Sequence, residues 1–329
     1  MTRRPLGRTA IELDELGFGG ATISRVGEAQ AAATLDAAWQ AGIRYYDTAP
    51  WYGRGLSELR VGRLLREQLR SDFVVSTKVG RILRAARGGS GPFEVVFDYS
   101  ANGIERAFED SLQRLGLSRV DMLIVHDLDF GYHAPQARWD AMMGQLLTSG
   151  WRALDDLRSA GTIGGIGVGI NPRGMIPRFL ELFDPDFFLV AGRYTLMEQE
   201  VLDDELPACV ERGVGVVIGA PFNSGLLAIG PGGTYDYADP APERVEKVRR
   251  IAAICGRHSV SLVSAALQFA LAHPAVASVI PGPKTADEAR ANVSAMQRAI
   301  PDALWSDLKD AGLLRADAPT PGARVVAHA

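Results

Sequence analysis

Short, continuous apolar segments alternate along the chain with segments of helical periodicity. Apolar runs without polar alternation are typical of strands buried on both faces of a parallel sheet. Eight such runs predict strands, at residues 16–18, 43–46, 74–77, 122–125, 163–168, 187–190, 214–218 and 277–280. The clearest helix is predicted over 100–115, where Ile104, Phe108 and Leu112 share one face and Gly116 follows as a helix-ending residue.

Eight strand-then-helix units favour a TIM (β/α)8 barrel over an open, doubly wound sheet. Residues 4–13 precede the first strand, and Gly7 predicts the turn of an N-terminal β-hairpin covering the bottom of the barrel. We expect a single domain over residues 1–329, with a flexible tail after about residue 316. Long loops are predicted at 81–99, 127–138 and 229–242.

Composition narrows the class of protein. The chain has 35 Lys and Arg against 39 Asp and Glu, a net charge of −4, and it lacks a basic run, so no nucleic-acid partner is expected. No apolar segment is long enough for a membrane span or a signal peptide, which predicts a cytoplasmic protein. Cys209 and Cys255 lie outside any metal-ligand spacing, so no metal site is expected.

Polar side chains follow several predicted strands at their carboxyl ends, where (β/α)8 barrels carry their active sites. Asp47, Lys78 and His126 follow the second, third and fourth strands, and Asn171 and Tyr194 follow the fifth and sixth. Any one of them alone would be read as a turn residue or a solvated charge. Together, at adjacent strand ends, they predict one active site.

Tyr52 completes a set of residues suited to moving a proton at a carbonyl or alcohol oxygen. The pKa of a free tyrosine lies near 10, and a neighbouring ammonium lowers it. We therefore expect Lys78 to lower the pKa of Tyr52, Asp47 to hold Lys78, and His126 to orient the substrate oxygen.

These residues also carry a family resemblance. Residues 47–53, DTAPWYG, resemble the D-T-A-x-x-Y-G signature of the aldo-keto reductase family. Residues 76–78, STK, and 125–126, VH, are similar to the lysine and histidine strands of that family. The resemblance spans roughly residues 13–292 and implies a TIM barrel that transfers hydride to or from a nicotinamide cofactor. It identifies Tyr52, Lys78, Asp47 and His126 as catalytic.

The same resemblance implies how the cofactor is held. Asn171 is expected to bind the nicotinamide carboxamide, Tyr194 to stack on the nicotinamide, and the backbone of 219–225 to hold the pyrophosphate. The full set of expected cofactor contacts is Asp47, Asn171, Tyr194, Pro221, Phe222, Asn223, Gly225, Ile280, Gly282, Lys284, Glu288 and Asn292.

Charges near the last barrel helix bear on the choice of cofactor. Glu288 stands where NADP-dependent members of the family place Arg, and residues 285–288, TADE, also resemble a capping box. A carboxylate repels a ribose 2′-phosphate, whereas Lys284 and Arg290 would attract one. We favour NAD over NADP, and dual use stays open.

A narrower resemblance points to the substrate. Four segments are similar to the aldose 1-dehydrogenase branch of the family, namely 97–100, 109–116, 126–129 and 191–195. That branch oxidises the C1 hydroxyl of a cyclic hemiacetal to a lactone, with sugars such as L-fucose or with pyridoxal. The substrate contacts that this implies are Trp51, Tyr52, His126 and Asp127.

Other functions remain compatible with the sequence. Pyridoxal 4-dehydrogenase and NAD(P)H-dependent aldehyde reductase are alternatives within the family. A strand-end lysine such as Lys78 also serves as the nucleophile of Schiff-base aldolases on the same fold. A regulatory subunit that binds the cofactor and turns over slowly is a further alternative.

Overall fold

A parallel barrel forms the centre of the molecule. The structure, a computed structural model, describes residues 1–88 and 92–322. The barrel strands are β1 Phe18–Gly19, β2 Tyr45–Asp47, β3 Val74–Val79, β4 Met122–His126, β5 Gly165–Ile170, β6 Phe187–Ala191, β7 Gly215–Gly219 and β8 Val276–Ile280. They pair in chain order in one 8-stranded parallel sheet. A parallel bridge between Leu16 and Val279 returns β8 to the first strand, so the predicted TIM barrel is confirmed.

Helices surround the barrel. They are α1 Glu28–Gln40, α2 Leu56–Leu65, α3 Ala101–Leu115, α4 Phe130–His133, α5 Gln136–Gln145, α6 Trp151–Ser159, α7 Met175–Leu182, α8 Glu205–Arg212, α9 Leu226–Ile229, α10 Pro242–Arg257, α11 Leu262–Leu271, α12 Ala286–Gln297 and α13 Asp302–Asp310. Helix α3 begins after Ser100, whose hydroxyl accepts from the Gly103 N–H, and ends at Gly116 with φ +64°. Its buried face includes Ile104 and Phe108, as the periodicity predicted.

The N-terminal hairpin seals one end of the barrel. Strands Arg3–Pro5 and Glu12–Asp14 pair antiparallel. Gly7, at φ +54°, packs so tightly that a Cβ there would lie 2.5 Å from the Gly215 nitrogen. Leu6 belongs to the apolar cluster inside the barrel, so the hairpin contributes side chains to the barrel core.

The barrel interior is filled by side chains. Its apolar cluster comprises Leu6, Leu13, Tyr45, Met122, Ile124, Phe187, Leu189, Val217, Ala277 and Ile280. A Cβ on Gly167 of β5 would lie 2.3 Å from the Phe187 ring, so this glycine makes room for a large neighbour. A second, larger cluster lies outside the barrel and includes buried faces of the surrounding helices.

Two predicted loops contain regular structure instead. Strands Arg81–Arg84 and Glu94–Phe97 form an antiparallel hairpin within 81–99. Within 127–138, Asp129 caps α4 by accepting from the Gly131 and Tyr132 N–H groups. Short elements of this kind carry too few apolar positions to show a period in the sequence.

The predicted flexible tail is wrong over 317–322, where Ala318 and Thr320 are buried. The rest of that prediction concerns 323–329, which lie outside the described residues. Within the described ranges, no helix combines the length and apolar character needed to cross a membrane.

We predict that Leu6→Ala destabilises the barrel without changing catalysis. Leu6 is fully buried in the barrel core, and removing a buried leucine costs about 2–5 kcal/mol of unfolding free energy. The measurement is urea denaturation together with kcat/KM. Leu69→Ala is the control, because Leu69 is 72% exposed. Equal stability of the two variants would contradict the role of the hairpin as a core element.

Candidate active site

A buried ion pair lies at the carboxyl ends of β2 and β3. The Lys78 ammonium donates to Asp47 Oδ2 at 2.5 Å and to the Thr48 carbonyl at 3.0 Å. The Ser76 hydroxyl donates to the other Asp47 oxygen at 2.8 Å. Asp47 and Ser76 are partners in the register between β2 and β3, so the pairing of the strands sets the ion pair.

Tyr52 and His126 complete the cluster. Tyr52 lies in the connection between β2 and α2, with its ring centroid 4.7 Å from Lys78 Nζ. His126, the last residue of β4, meets Tyr52 edge to face, with ring centroids 5.8 Å apart. The structure therefore brings together the four side chains that the sequence pattern grouped.

Burial sets the protonation of these groups. It lowers the pKa of His126 well below its ordinary value, helped by the charges of Arg81 and Lys78, so the ring is neutral at neutral pH. Burial, reinforced by the Asp47 carboxylate, raises the pKa of Tyr52 well above its ordinary value.

Desolvation and the Asp47 carboxylate give Tyr52 a net upward pKa shift, so they outweigh any lowering by Lys78, whose tuning role stays a prediction. The Lys78 ammonium is paired with Asp47 and lies over the face of the Tyr52 ring, while the phenol is desolvated. Tyr52 is therefore a protonated phenol at neutral pH. It is a proton donor to a carbonyl oxygen, and it becomes an acceptor only after losing its own proton.

Asp127 connects the cluster to a second set of polar groups. It follows β4 in a left-handed conformation, φ +45°, which costs backbone strain and is common at functional sites. One carboxylate oxygen accepts from Arg81 at 2.7 Å and lies 3.3 Å from His126 Nε2, and the other accepts from the Asn171 amide at 2.9 Å. Burial raises the pKa of Asp127 to about 6.

Arg81 and Tyr99 were not identified from the sequence. The Tyr99 hydroxyl donates to the His126 carbonyl at 2.7 Å and lies 3.1 Å from His133 Nε2, so it supports the backbone of His126. A Cβ on Gly80 would lie 2.1 Å from the Tyr99 ring. Two features of the sequence point to these residues. Arg81 lies three positions after Lys78, and Tyr99 belongs to the segment 97–100 that resembles the aldose 1-dehydrogenase branch.

The segment after β7, where the pyrophosphate contacts are expected, is a left-handed turn. Asn223, Ser224 and Gly225 have φ values of +46°, +62° and +125°, and Phe222 before them lies at φ −100°. The Asn223 and Gly225 N–H groups donate to the Ala220 and Phe222 carbonyls, both at 3.0 Å, so in this structure they close the turn. The Asn223 side chain is already engaged, because it accepts from Thr195 at 2.7 Å and donates to the Gly192 carbonyl at 3.0 Å.

The other expected cofactor contacts lie where β8 leads into α12. The Gly19 N–H of β1 donates to the Pro281 carbonyl at 2.9 Å, which places 280–282 beside β1. Thr285 accepts from the Glu288 N–H at 3.1 Å, and the Glu288 carboxylate accepts from the Lys284 N–H at 2.7 Å. These two bonds cap α12 and leave Lys284 and Glu288 exposed. Ile280 and Asn292 are buried, while Gly282 is half-buried.

Tyr194 does not lie at the mouth of the barrel. Its ring is fully buried, 5.2 Å from Phe269 of α11 and 5.6 Å from His273 between centroids. A ring enclosed in the helix layer is not available to stack on a nicotinamide, so that expectation is corrected. Pro221 is buried and Phe222 is half-buried in the segment after β7.

A barrel that carries a buried lysine, aspartate and histidine with a half-buried tyrosine at its strand ends defines an oxidoreductase of the NAD(P)-dependent barrel class. The model of the Aldo/keto reductase family matches residues 15–312, and the chain belongs to this family. Members use NAD(P)(H) as their cofactor.

Similar proteins act on small molecules. The chain is 40% identical to a pyridoxal 4-dehydrogenase of Microbacterium luteolum, over 95% of this chain and 98% of that protein. It is 39% identical to a D-threo-aldose 1-dehydrogenase of Pseudomonas sp., over 94% and 96%. Among solved structures, an aldo-keto reductase from Bacillus halodurans in its holo form has a TM-score of 0.75, at 26% identity over 96% of this chain and 97% of that one.

We predict that Asp127 makes stability fall as pH rises through about 6. Because its pKa is raised on folding, the protonated carboxyl is the form that the folded state favours. As pH rises from 4 to 6, the unfolding free energy of the unsubstituted protein should decrease by about 1 kcal/mol per pH unit relative to that of Asp127→Asn. Urea denaturation across this range measures it. Asp140→Asn, at an exposed carboxylate, is the control, and a pH-independent difference for Asp127→Asn would refute the shift.

Proposed function

We propose that the protein oxidises the C1 hydroxyl of a cyclic hemiacetal sugar, of the L-fucose or D-threo-aldose type, to a lactone with NAD(P)+. One observation carries this proposal. The neutral ring of His126 and the phenol of Tyr52 face each other beside the Lys78–Asp47 ion pair. Aldoses and pyridoxal, the compounds named in the two similar dehydrogenases, both form cyclic hemiacetals. One reaction therefore serves both skeletons.

Each residue of the cluster has a separate role in the reaction. His126 donates a hydrogen bond to the substrate oxygen, because its neutral ring keeps one N–H. For oxidation, Tyr52, which is partly exposed, first releases its own proton to solvent and then takes the hydroxyl proton as a phenolate, which the Lys78 ammonium over its ring stabilises. Asp47 keeps Lys78 in place. When bound, the nicotinamide accepts the hydride from C1.

NAD is the favoured cofactor. The backbone of 221–225 would hold the pyrophosphate once the Asn223 and Gly225 N–H groups leave their internal partners, the Ala220 and Phe222 carbonyls. Glu288 would lie near the adenosine ribose and repel a 2′-phosphate, while Asn171 at the end of β5 would bind the carboxamide. The exposure of Glu288 at the start of α12 supports this placement.

Pyridoxal is the second candidate substrate. Trp51 and Tyr132, at 38% and 41% exposure, present aromatic rings beside the site. Offset stacking on such rings favours a flat, aromatic substrate. Reduction of an aldehyde by the same cluster, with Tyr52 as proton donor, is the alternative direction.

We predict that Tyr52→Phe abolishes turnover while dinucleotide binding persists. Loss of a general acid–base group lowers the rate by about 10²–10⁴-fold. The assay is nicotinamide reduction with L-fucose, D-arabinose, D-galactose and pyridoxal, each with NAD+ and with NADP+. Tyr46→Phe is the control, since Tyr46 is buried and, among the described residues, its hydroxyl bonds only to the Ile43 carbonyl. A fully active Tyr52→Phe enzyme would overturn the assignment, and inactivity of the unsubstituted enzyme on all four compounds would overturn the substrate class.

We predict that Glu288→Gln shifts the cofactor preference toward NADP. Removal of one exposed charge near a phosphate is worth about 1 kcal/mol, or roughly fivefold in the ratio of kcat/KM values for NADP and NAD. Glutamine still offers an oxygen to the Lys284 N–H, so the helix cap is preserved. Asp287→Asn, on the same helical turn, is the control. An unchanged ratio for Glu288→Gln would remove Glu288 from the cofactor site.

A further inference from the structure

Arg81 is a buried cation with unused hydrogen-bond donors. It begins the hairpin that follows β3 and is 1% exposed. One terminal nitrogen donates to Asp127 at 2.7 Å. Its Nε and other terminal nitrogen make no hydrogen bond of good geometry among the described residues, although both are buried and the Tyr99 and Tyr132 hydroxyls lie near the guanidinium. Leaving a buried charged donor unpaired costs free energy, so such groups call for a functional explanation.

Aromatic rings hold the guanidinium without satisfying its donors. The Arg81 carbon Cζ lies 4.3 Å from the centroid of Tyr132, 5.1 Å from that of Trp51 and 5.3 Å from that of Phe97. Cation–π contacts of this kind favour the charge but leave the N–H groups in the guanidinium plane free. Trp51 and Tyr132 are partly exposed while Arg81 is buried, so these two rings separate the guanidinium from solvent, and a ligand reaches it when one of them moves aside.

Arg81 lies close to the reacting position. Its partner Asp127 places a carboxylate oxygen 3.3 Å from Nε2 of His126, the residue that orients the substrate oxygen in the proposed mechanism. The charges of Arg81 and Asp127 balance each other, which suits a neutral hydroxyl better than an anion.

We propose that Arg81 determines specificity by donating a hydrogen bond to the C2 hydroxyl, the group next to the carbon that is oxidised. Asp127 accepts the proton of the same hydroxyl, and Asn171 holds Asp127 from the other side. This inference rests on the proposed function. It adds the requirement that the sugar carry a hydroxyl at C2.

The test compares kcat/KM for two sugars in the unsubstituted enzyme and in two Arg81 variants. Substrates are L-fucose and 2-deoxy-L-fucose, and proteins are the unsubstituted enzyme, Arg81→Gln and Arg81→Lys. A hydrogen bond to a charged group is worth about 10- to 100-fold in kcat/KM. We expect the unsubstituted enzyme to prefer L-fucose by that factor, and Arg81→Gln to lose the preference through slower turnover of L-fucose alone. Arg81→Lys should retain part of it.

A remote hydroxyl provides the matched control. L-Galactose differs from L-fucose only by its 6-hydroxyl, and Arg81→Gln should affect these two sugars equally. Thermal melting and dinucleotide binding confirm that each variant is folded. Should Arg81→Gln fail to fold, Arg81→Lys and the substrate comparison in the unsubstituted enzyme still decide.

The outcomes separate the two proposals. Equal turnover of L-fucose and 2-deoxy-L-fucose by the unsubstituted enzyme overturns the role of Arg81, as does an equal loss on both sugars in Arg81→Gln. In either case the hemiacetal dehydrogenase activity stands. Oxidation of pyridoxal but of no sugar overturns the role of Arg81 and leaves the second candidate function. Inactivity toward sugars and pyridoxal alike overturns the proposed function, and the role of Arg81 with it.

Discussion

The ion pair between Asp47 and Lys78 is the interaction on which the rest of the site depends. Burying two charges carries a large desolvation cost, and only close pairing with further hydrogen bonds offsets it. Here Ser76 and the Thr48 carbonyl supply those bonds. Because Asp47 and Ser76 are register partners, a slip of one residue between β2 and β3 would break the pair. The barrel thus provides a fixed position for a charge, over which the Tyr52 ring is held.

Most of the barrel could be predicted because its strands are buried on both faces and are therefore continuously apolar. The catalytic cluster followed from its position at strand ends and from a distinctive signature. The failures share a physical cause, which is contact between distant parts of the chain. The Tyr194 ring lies in the helix layer because it packs against Phe269 and His273 there. The pKa of Tyr52 follows from desolvation, which the sequence does not express.

The cofactor segments show the same division between local and distant determinants. The cap at Thr285 and Glu288 is a local pattern, and both of its bonds lie within four residues. The Asn223 side chain, in contrast, connects the segment after β7 to the segment after β6 through Thr195 and Gly192. A motif comparison assigns such a residue to the ligand, whereas its side chain serves the scaffold.

Lys78 and Arg81 belong to one extended segment, joined by a glycine that the Tyr99 ring packs against. A shift of Lys78 along the barrel axis would therefore also displace Arg81. With the proposed roles of Lys78 and Arg81, reaction rate and substrate choice are thereby mechanically linked. The outer part of the hairpin, Leu83–Arg84 with Glu94–Val95, pairs with no other described strand. Sequence change in these outer pairs can therefore alter the hairpin while the segment from Lys78 to Arg81 stays constant.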